Sequence, residues 1–418
     1  MDIFIEKEHH GLDQDAISQT LQQSLEGKQV SKVLLIPPDY TRFHSGCGLI
    51  TGLYYKLLTS QGAKVDILPA LGTHAPMSRK DQLTFFGDIP AERFLTHDWR
   101  GGVTTIGVIP ASYVHEISEG LMDECIPVSV SNPLLDCSYD LILSLGQVVP
   151  HEVAGMANYS KNILVGCGGS NFINKSHMLG AYYGIEKILG RVDTPVRKLF
   201  DYAQVHFLSK LPLVYVLTVT HAVDDNVNIM GLYIGNSRTG FERAALLSQK
   251  LNITNVGYPI KTCIVWLGAD EFHSTWLGNK AVYRTRMAMA EGGHLIILAP
   301  EVKTFGEDTK NDQLIRKYGY IGRERILSLS RANKDIQANL SVAAHLIHGS
   351  AEGRFIITYA APLLGQKAIE SVGYKYAKLD DMLKLYNPHA LQPGYNTLKT
   401  GEEVYFINNP ALGLWQYV

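Results

Sequence analysis

Short apolar runs along this chain end abruptly in loops rich in glycine, proline and polar residues. They are KVLLIPPDYTR (32–42), AKVDILPALGTH (63–74), DLILSLGQVVPH (140–151), TCIVWLGADEFH (262–273), HLIILAPE (294–301) and RFIITYAAP (354–362). Both faces of each run are apolar, the pattern of a strand buried within a parallel sheet. Segments of helical period lie between them, and the spacing predicts helices over 12–26, 47–60, 178–189, 195–209, 239–250, 275–291 and 335–348. The stretch LVYVLTVTHAVDDNVNIMGLYIG (213–235) instead predicts two strands joined by an Asp-Asp-Asn turn, a hairpin rather than a crossover. A second strand-helix series begins after LNITNVGYPIK. The expected fold is therefore two α/β domains with mainly parallel sheets, residues 1–254 and 255–418, and an active-site cleft between them.

Composition narrows the function classes. A length of 418 residues suits two domains at roughly 100 to 200 residues each. No apolar run reaches the ~18 residues needed to span a membrane, and the first residues, MDIFIEKEHHGLDQDA, lack the pattern of a signal peptide, so a cytoplasmic address is expected. The formal net charge is −2 with no block of like charge, which gives no electrostatic footprint for nucleic acid or for a membrane surface. Small molecules are the expected partners. The five cysteines are scattered without CxxC spacing, which speaks against a disulfide framework or a structural zinc site.

In open α/β sheets ligands bind beyond the carboxyl ends of the strands. In the first half of the chain that rule collects Asp39, Thr41, Arg42 and His44 after the first run, Thr73 and His74 after the second, and His151 and Glu152 after the third. Asp39 and Thr41 also suit a simple turn or helix cap. Two imidazoles titrating near neutrality can act as base and acid on opposite faces of one carbon, and an arginine can hold a carboxylate through paired hydrogen bonds. That combination fits a 2-hydroxy acid turned over at its α-carbon. A carbanion there has no electron sink, so a cofactor able to accept hydride is needed. Lys161, ten residues after His151, precedes NILVGCGGSN, whose Gly166, Gly168 and Gly169 permit close backbone approach to a phosphate-bearing ligand. The lysine is open to two readings, a snorkelling helix residue or a covalently engaged amine. His177 is a candidate ligand for a soft or borderline metal.

These residues together resemble the nickel-dependent lactate racemase family. PPDYTRFH is similar to the family's Asp-x-Thr-Arg signature. A strand and the Gly-x-His loop LGTHAP follow it, and then come His151, Lys161 and His177 in the family's order and approximate spacing. The similarity extends over most of the chain, including the hairpin and AEGGHLIILAPE. The resemblance implies a nickel-pincer nucleotide, pyridinium-3,5-bisthiocarboxylic acid mononucleotide with nickel, tethered to Lys161 through a thioamide, with His177 as a nickel ligand. It further implies His74 and His151 as paired acid/base residues, Arg42 and Lys280 (in TWLGNKAV) as substrate-binding residues, and Asp39 as the residue that orients His74. The first domain would carry the cofactor and the second would close over the substrate, with cofactor-biosynthesis and insertion proteins as further partners. The family's substrate-contacting glutamine is replaced by Leu277 or Trp276, so the acid is lactate, a sugar acid or another 2-hydroxy acid. His273, Trp276 and His294 either shape that pocket or pack at a domain interface. Two alternatives stand beside this reading. One is an NAD-dependent hydroxy acid dehydrogenase, for which no GxGxxG fingerprint follows an early strand; the other is a non-catalytic carboxylate- or cofactor-binding protein.

Overall fold

The computed structural model describes residues 2–223, 226–411 and 413–417. They form two compact units, one of Met1–Leu179 with Lys187–Leu251, the other of Gly180–Glu186 with Asn252–Val418.

The first unit is built on a six-stranded sheet in the order Ile3–Glu6, Asn226–Gly235, Leu213–Val223, Leu141–Gln147, Lys32–Ile36 and Lys64–Ile67. The last four run parallel, and the first two extend them in antiparallel pairing. Every residue of Leu141–Gln147 is buried, as the uniformly apolar run requires. Helices Gln14–Leu25 and Cys47–Ser60 pack on this sheet, placing Ile17, Leu21, Ile50 and Tyr54 in one cluster with Val33, Leu35, Val65 and Leu143. From Lys32–Ile36 the chain steps outward to Lys64–Ile67 and then returns to Leu141–Gln147 on the other side. The order thus reverses between two adjacent parallel strands, which makes their carboxyl ends the point where a ligand crevice forms. The expected hairpin pairs Val223 with Asn226; Asp224 and Asp225 of its turn lie outside the described residues.

The second unit has a six-stranded sheet in the order Lys375–Tyr376, Phe355–Ala360, Met289–Leu298, Ile260–Trp266, Glu403–Ile407 and Gly394–Thr397. Only the last pair is antiparallel. The α/β class with parallel-rich sheets is therefore as the apolar runs predict. Among the described residues no helix is long and apolar enough to cross a membrane.

Four helix expectations need correction, the first being 335–348, which divides into Lys334–Gln337 and Leu340–His348 at a non-helical Asn339. The segment 275–291 is helical only at Thr275–Gly278 and Lys280–Tyr283, and Met289 already opens a strand paired beside Ile260. Residues such as Met289 and Ala290 favour helix locally, and strand pairing overrides them. In place of 178–189 the helix spans Ser170–Tyr183 and stops at Gly184, whose φ of 102° continues no helix. Over 195–209 the helix Pro195–Ala203, capped by Thr194, passes into a π-helical turn at Gln204–Leu208.

Candidate active site

Three loops of the first unit carry the residues gathered by the strand-end rule. After Lys32–Ile36, Asp39 caps the short 3-10 helix Tyr40–Ser45 and is only 4% exposed. Its two carboxylate oxygens are divided between neighbours. Oδ1 accepts from the Thr41 amide at 3.0 Å and the Thr41 hydroxyl at 2.5 Å, while Oδ2 lies 2.5 Å from Nδ1 of His74. Burial pushes the Asp39 pKa up, but the charge and hydrogen bond of His74, the Thr41 bonds and the charge of Arg42 outweigh it and leave the carboxyl below its usual range. A carboxylate at Nδ1 holds the proton there and turns Nε2 into the acceptor, the arrangement of a base. The cap at Asp39 is thus also the support of His74.

His151 is set the other way. It lies in a two-residue strand, Pro150–His151, paired with Gly155–Met156. Its Nδ1 accepts from the amides of Val153 at 3.1 Å and Ala154 at 3.4 Å. Amide donors at Nδ1 put the proton of the neutral ring on Nε2, which becomes a donor. One rim therefore carries an acceptor-facing and a donor-facing imidazole. Gly155 opposite His151 has a φ of 83°, and a Cβ there would lie 2.1 Å from the carbonyl oxygen of Arg191, so this hairpin accepts only glycine.

Lys161 is brought to the same edge of the sheet by its neighbour. The Asn162 side-chain amide donates to Ile36 O (3.2 Å), Ser144 Oγ (3.0 Å) and Leu145 O (3.2 Å), on the two strands that flank the reversal. Burial and the nearby charge of Arg42 pull the Lys161 amine down to about 8, against the opposing pull of Glu152 and Asp39. Among the described residues the amine has neither a hydrogen bond nor an ion pair, and the same holds for the guanidinium of Arg42. A snorkelling lysine would keep an ordinary pKa; this half-buried one has its pKa pulled down. His177, on helix Ser170–Tyr183, bonds through Nδ1 to Ile173 O at 2.7 Å. Burial, helped by the charge of Lys161, lowers it to about 4. It is neutral with Nε2 turned away from the backbone bond, the state of a metal-binding histidine whose second nitrogen is fixed by a carbonyl. Among the described residues no group of three or more His, Cys, Asp or Glu could hold a metal.

The glycines after Lys161 serve first the packing of the protein itself. A Cβ at Gly166 would sit 2.7 Å from Ala70 Cβ, at Gly168 1.8 Å from Leu164 O, and at Gly169 2.9 Å from Ser129 Cβ. The Gly166 carbonyl accepts from the Gly72 amide at 2.8 Å, which ties this turn to the loop that leads into His74. At all three positions the protein itself occupies the place that a Cβ would take.

In the second unit Lys280 is buried, 3.7 Å from Glu271 Oε1 and over the Phe272 ring, and Asn409 donates to Glu271 Oε2 at 3.0 Å. These residues follow Ile260–Trp266 and Glu403–Ile407, where the second strand order reverses. Trp276 stacks on His345 with centroids 4.4 Å apart. His294 bonds Thr358 within the sheet, and His273 is exposed. Sequence reasoning passed over Asn162, Arg197 and the turn at Asn158–Tyr159. The only sequence signal for them was Asn162 beside the lysine.

Residues 9–184 match the lactate racemase N-terminal domain. That stretch is similar to the N-terminal domain of lactate racemases. A crystal structure of a protein from Thermotoga maritima is similar, at 24% identity and a TM-score of 0.85, over 99% of this chain and 100% of that one. The lactate racemase apoprotein from Thermoanaerobacterium thermosaccharolyticum is similar at 16% identity and a TM-score of 0.70, over 99% of this chain and 94% of that one. At such identities the two structures speak for the fold. No curated protein matches the sequence. The match to the lactate racemase N-terminal domain supports an activity of racemase or epimerase type.

Proposed function

We propose that this protein is a racemase or epimerase that inverts the α-carbon of a 2-hydroxy acid, with lactate or a sugar acid as substrate, and that it works with a nickel-pincer nucleotide tethered to Lys161. The observation that carries the reading is the opposed pair of imidazoles: His74, with its proton held at Nδ1 by Asp39, and His151, with Nδ1 occupied by two amides. Inversion needs that asymmetry, an acceptor for the hydroxyl proton on one face and a donor to the carbonyl oxygen on the other. Arg42, beside them without an ion pair among the described residues, supplies the charge for the substrate carboxylate.

The residues fit the nucleotide. The desolvated amine of Lys161 is available for covalent attachment, and the neutral His177 offers one nitrogen to a metal whose other donors come from the cofactor. When bound, the group supplies a hydride acceptor for the α-carbon, the chemistry that the side chains lack. The protein's share is to hold the carboxylate at Arg42 and to move the hydroxyl proton at Nε2 of His74 and of His151. Asp39 keeps His74 in the right tautomer, and Thr41 fixes Asp39. In the second unit Lys280, 3.7 Å from Glu271, remains a proposed substrate-binding residue.

The test is intact-mass and nickel analysis of protein from cells that also express the cofactor-biosynthesis proteins, with Lys161→Ala as control. A nucleotide-sized adduct and stoichiometric nickel, both lost in the variant, are expected, together with inversion of at least one acid in a chiral screen. An unmodified mass under conditions that load an established lactate racemase would overturn the cofactor assignment.

A further inference from the structure

The chain reaches Lys161 through backbone states that residues with side chains seldom adopt. Asn158 and Tyr159 are both left-handed, at φ values of 65° and 58°. For a bulky aromatic residue such a backbone is an outlier that persists only where the surroundings hold it. Beyond Lys161 the helix opens at once into the π-helical turn Asn162–Gly166, a form concentrated at functional sites. The lysine thus sits between two departures from regular structure.

What grips the first of them is Arg197. This side chain is fully buried on helix Pro195–Ala203, and its Nη2 donates to Met156 O at 2.7 Å and Asn158 O at 3.3 Å. Nη1 donates to Asn158 O and Ser160 Oγ, each at 3.3 Å. The guanidinium lies 4.3 Å from the centroid of Phe241, and the Tyr159 ring stacks on that same phenylalanine at 5.4 Å and 18°. Among the described residues no carboxylate bonds Arg197; Asp201 and Arg238 are the charges that face it. Burying an arginine is costly, and here its hydrogen bonds go to one five-residue stretch of backbone and side chain. Met156 pairs with Pro150 in the hairpin of His151. One cation therefore holds the hairpin at one end and the approach to Lys161 at the other.

We propose that Arg197 is a positioning residue: it fixes the Asn158–Tyr159 turn in the left-handed state that delivers the Lys161 amine to the site and keeps it in register with His151. The proposal rests on the reading of Lys161 as the covalent anchor. The charged groups around that amine are Arg42, Glu152, Arg197 and Asp39, so its reactivity reports on all of them and on the turn.

The experiment uses the full chain purified without cofactor. Acetylation by limiting acetic anhydride is followed against pH by peptide mass spectrometry, with Lys161 read relative to the exposed Lys56. The wild-type Lys161 profile is expected to have its midpoint near pH 8. Arg197→Lys keeps the charge but cannot reach all of the acceptors. At pH 8 it is expected to lower the Lys161 to Lys56 labelling ratio at least fivefold, with the profile moving toward that of Lys56. Arg197→Lys with Asn158→Gly, where glycine takes the positive φ freely, is expected to recover at least half of the loss. A merely structural arginine would lower the melting temperature and leave the Lys161 profile in place; that result overturns the proposal. Should Arg197→Lys fail to fold, Ser160→Ala removes one acceptor and carries the test, with a twofold fall expected and no change overturning it. Cofactor loading separates the two readings. A profile that responds to Arg197→Lys in a protein that never takes up the nucleotide removes the anchor and keeps the positioning, while a loaded wild type with an unresponsive profile removes only the positioning.

Discussion

At the scale of single residues the site depends on two acids and bases held out of their ordinary states. Asp39 carries a lowered pKa, so its contribution to stability is present in full above the normal carboxylate range and fades as pH falls through its folded value. Asp39→Asn is expected to lower turnover of the loaded enzyme about 100-fold or more, because the His74 proton is no longer held at Nδ1. It should also lower the melting temperature near pH 7, and that difference should shrink as pH falls below the ordinary carboxylate range toward the lowered folded value, where the wild-type carboxyl protonates as well. Chiral assay and calorimetry across pH check both. Lys161 has the opposite sign. Its folded pKa, about 8, lies below the unfolded value, so below pH 8 the half-buried ammonium costs stability and the cost disappears as pH rises toward 10.5. Lys161→Met is expected to stabilise the cofactor-free protein by roughly 2 kcal/mol at pH 7 and by little at pH 10, measured by urea unfolding. An advantage that persisted at pH 10 would mean that the gain came from packing alone.

At the scale of elements the question is what locks the loops onto the sheet. Asn162 joins the turn after Lys161 to the strands Lys32–Ile36 and Leu141–Gln147 with three bonds. Asn162→Ala leaves those buried acceptors without this donor, and a loss of about 1–3 kcal/mol is expected, with faster amide exchange over 162–167. Gly155→Ala forces a side chain into the carbonyl of Arg191 and a left-handed φ on alanine, with the φ alone costing about 1–3 kcal/mol. The same elements show what a sequence can convey. Strand ends were legible because a buried parallel strand is apolar on both faces and its first polar residues mark the rim, which is how Asp39, His74 and His151 were found. Helix bounds at 275–291 were not legible, since good helix formers there are claimed by pairing with Ile260–Trp266. Arg197 was hidden for a related reason. It lies 36 residues past Lys161 in an ordinary amphipathic helix, and its hydrogen bonds go to carbonyls, which leave no trace in sequence.

At the scale of the whole molecule the reading turns on where the α-hydrogen goes. The side chains of the first unit provide for a hydroxyl proton and a carboxylate, through His74, His151 and Arg42, and none of them is an electron sink. A proton-abstraction route would exchange the α-hydrogen with solvent, because a protonated imidazole trades its proton with water between turnovers. A hydride route returns the same hydrogen to the opposite face. Inversion of a 2-hydroxy acid by the loaded enzyme in D2O is therefore expected to leave protium at the α-carbon in nearly every product molecule, while the hydroxyl exchanges freely. No NADH should appear and no keto acid should accumulate beyond the amount of enzyme, which separates the reading from a dehydrogenase. Deuterium at the α-carbon, read by mass spectrometry of early product, would mean that the two imidazoles act directly on carbon. Lys161 and His177 would then need another explanation.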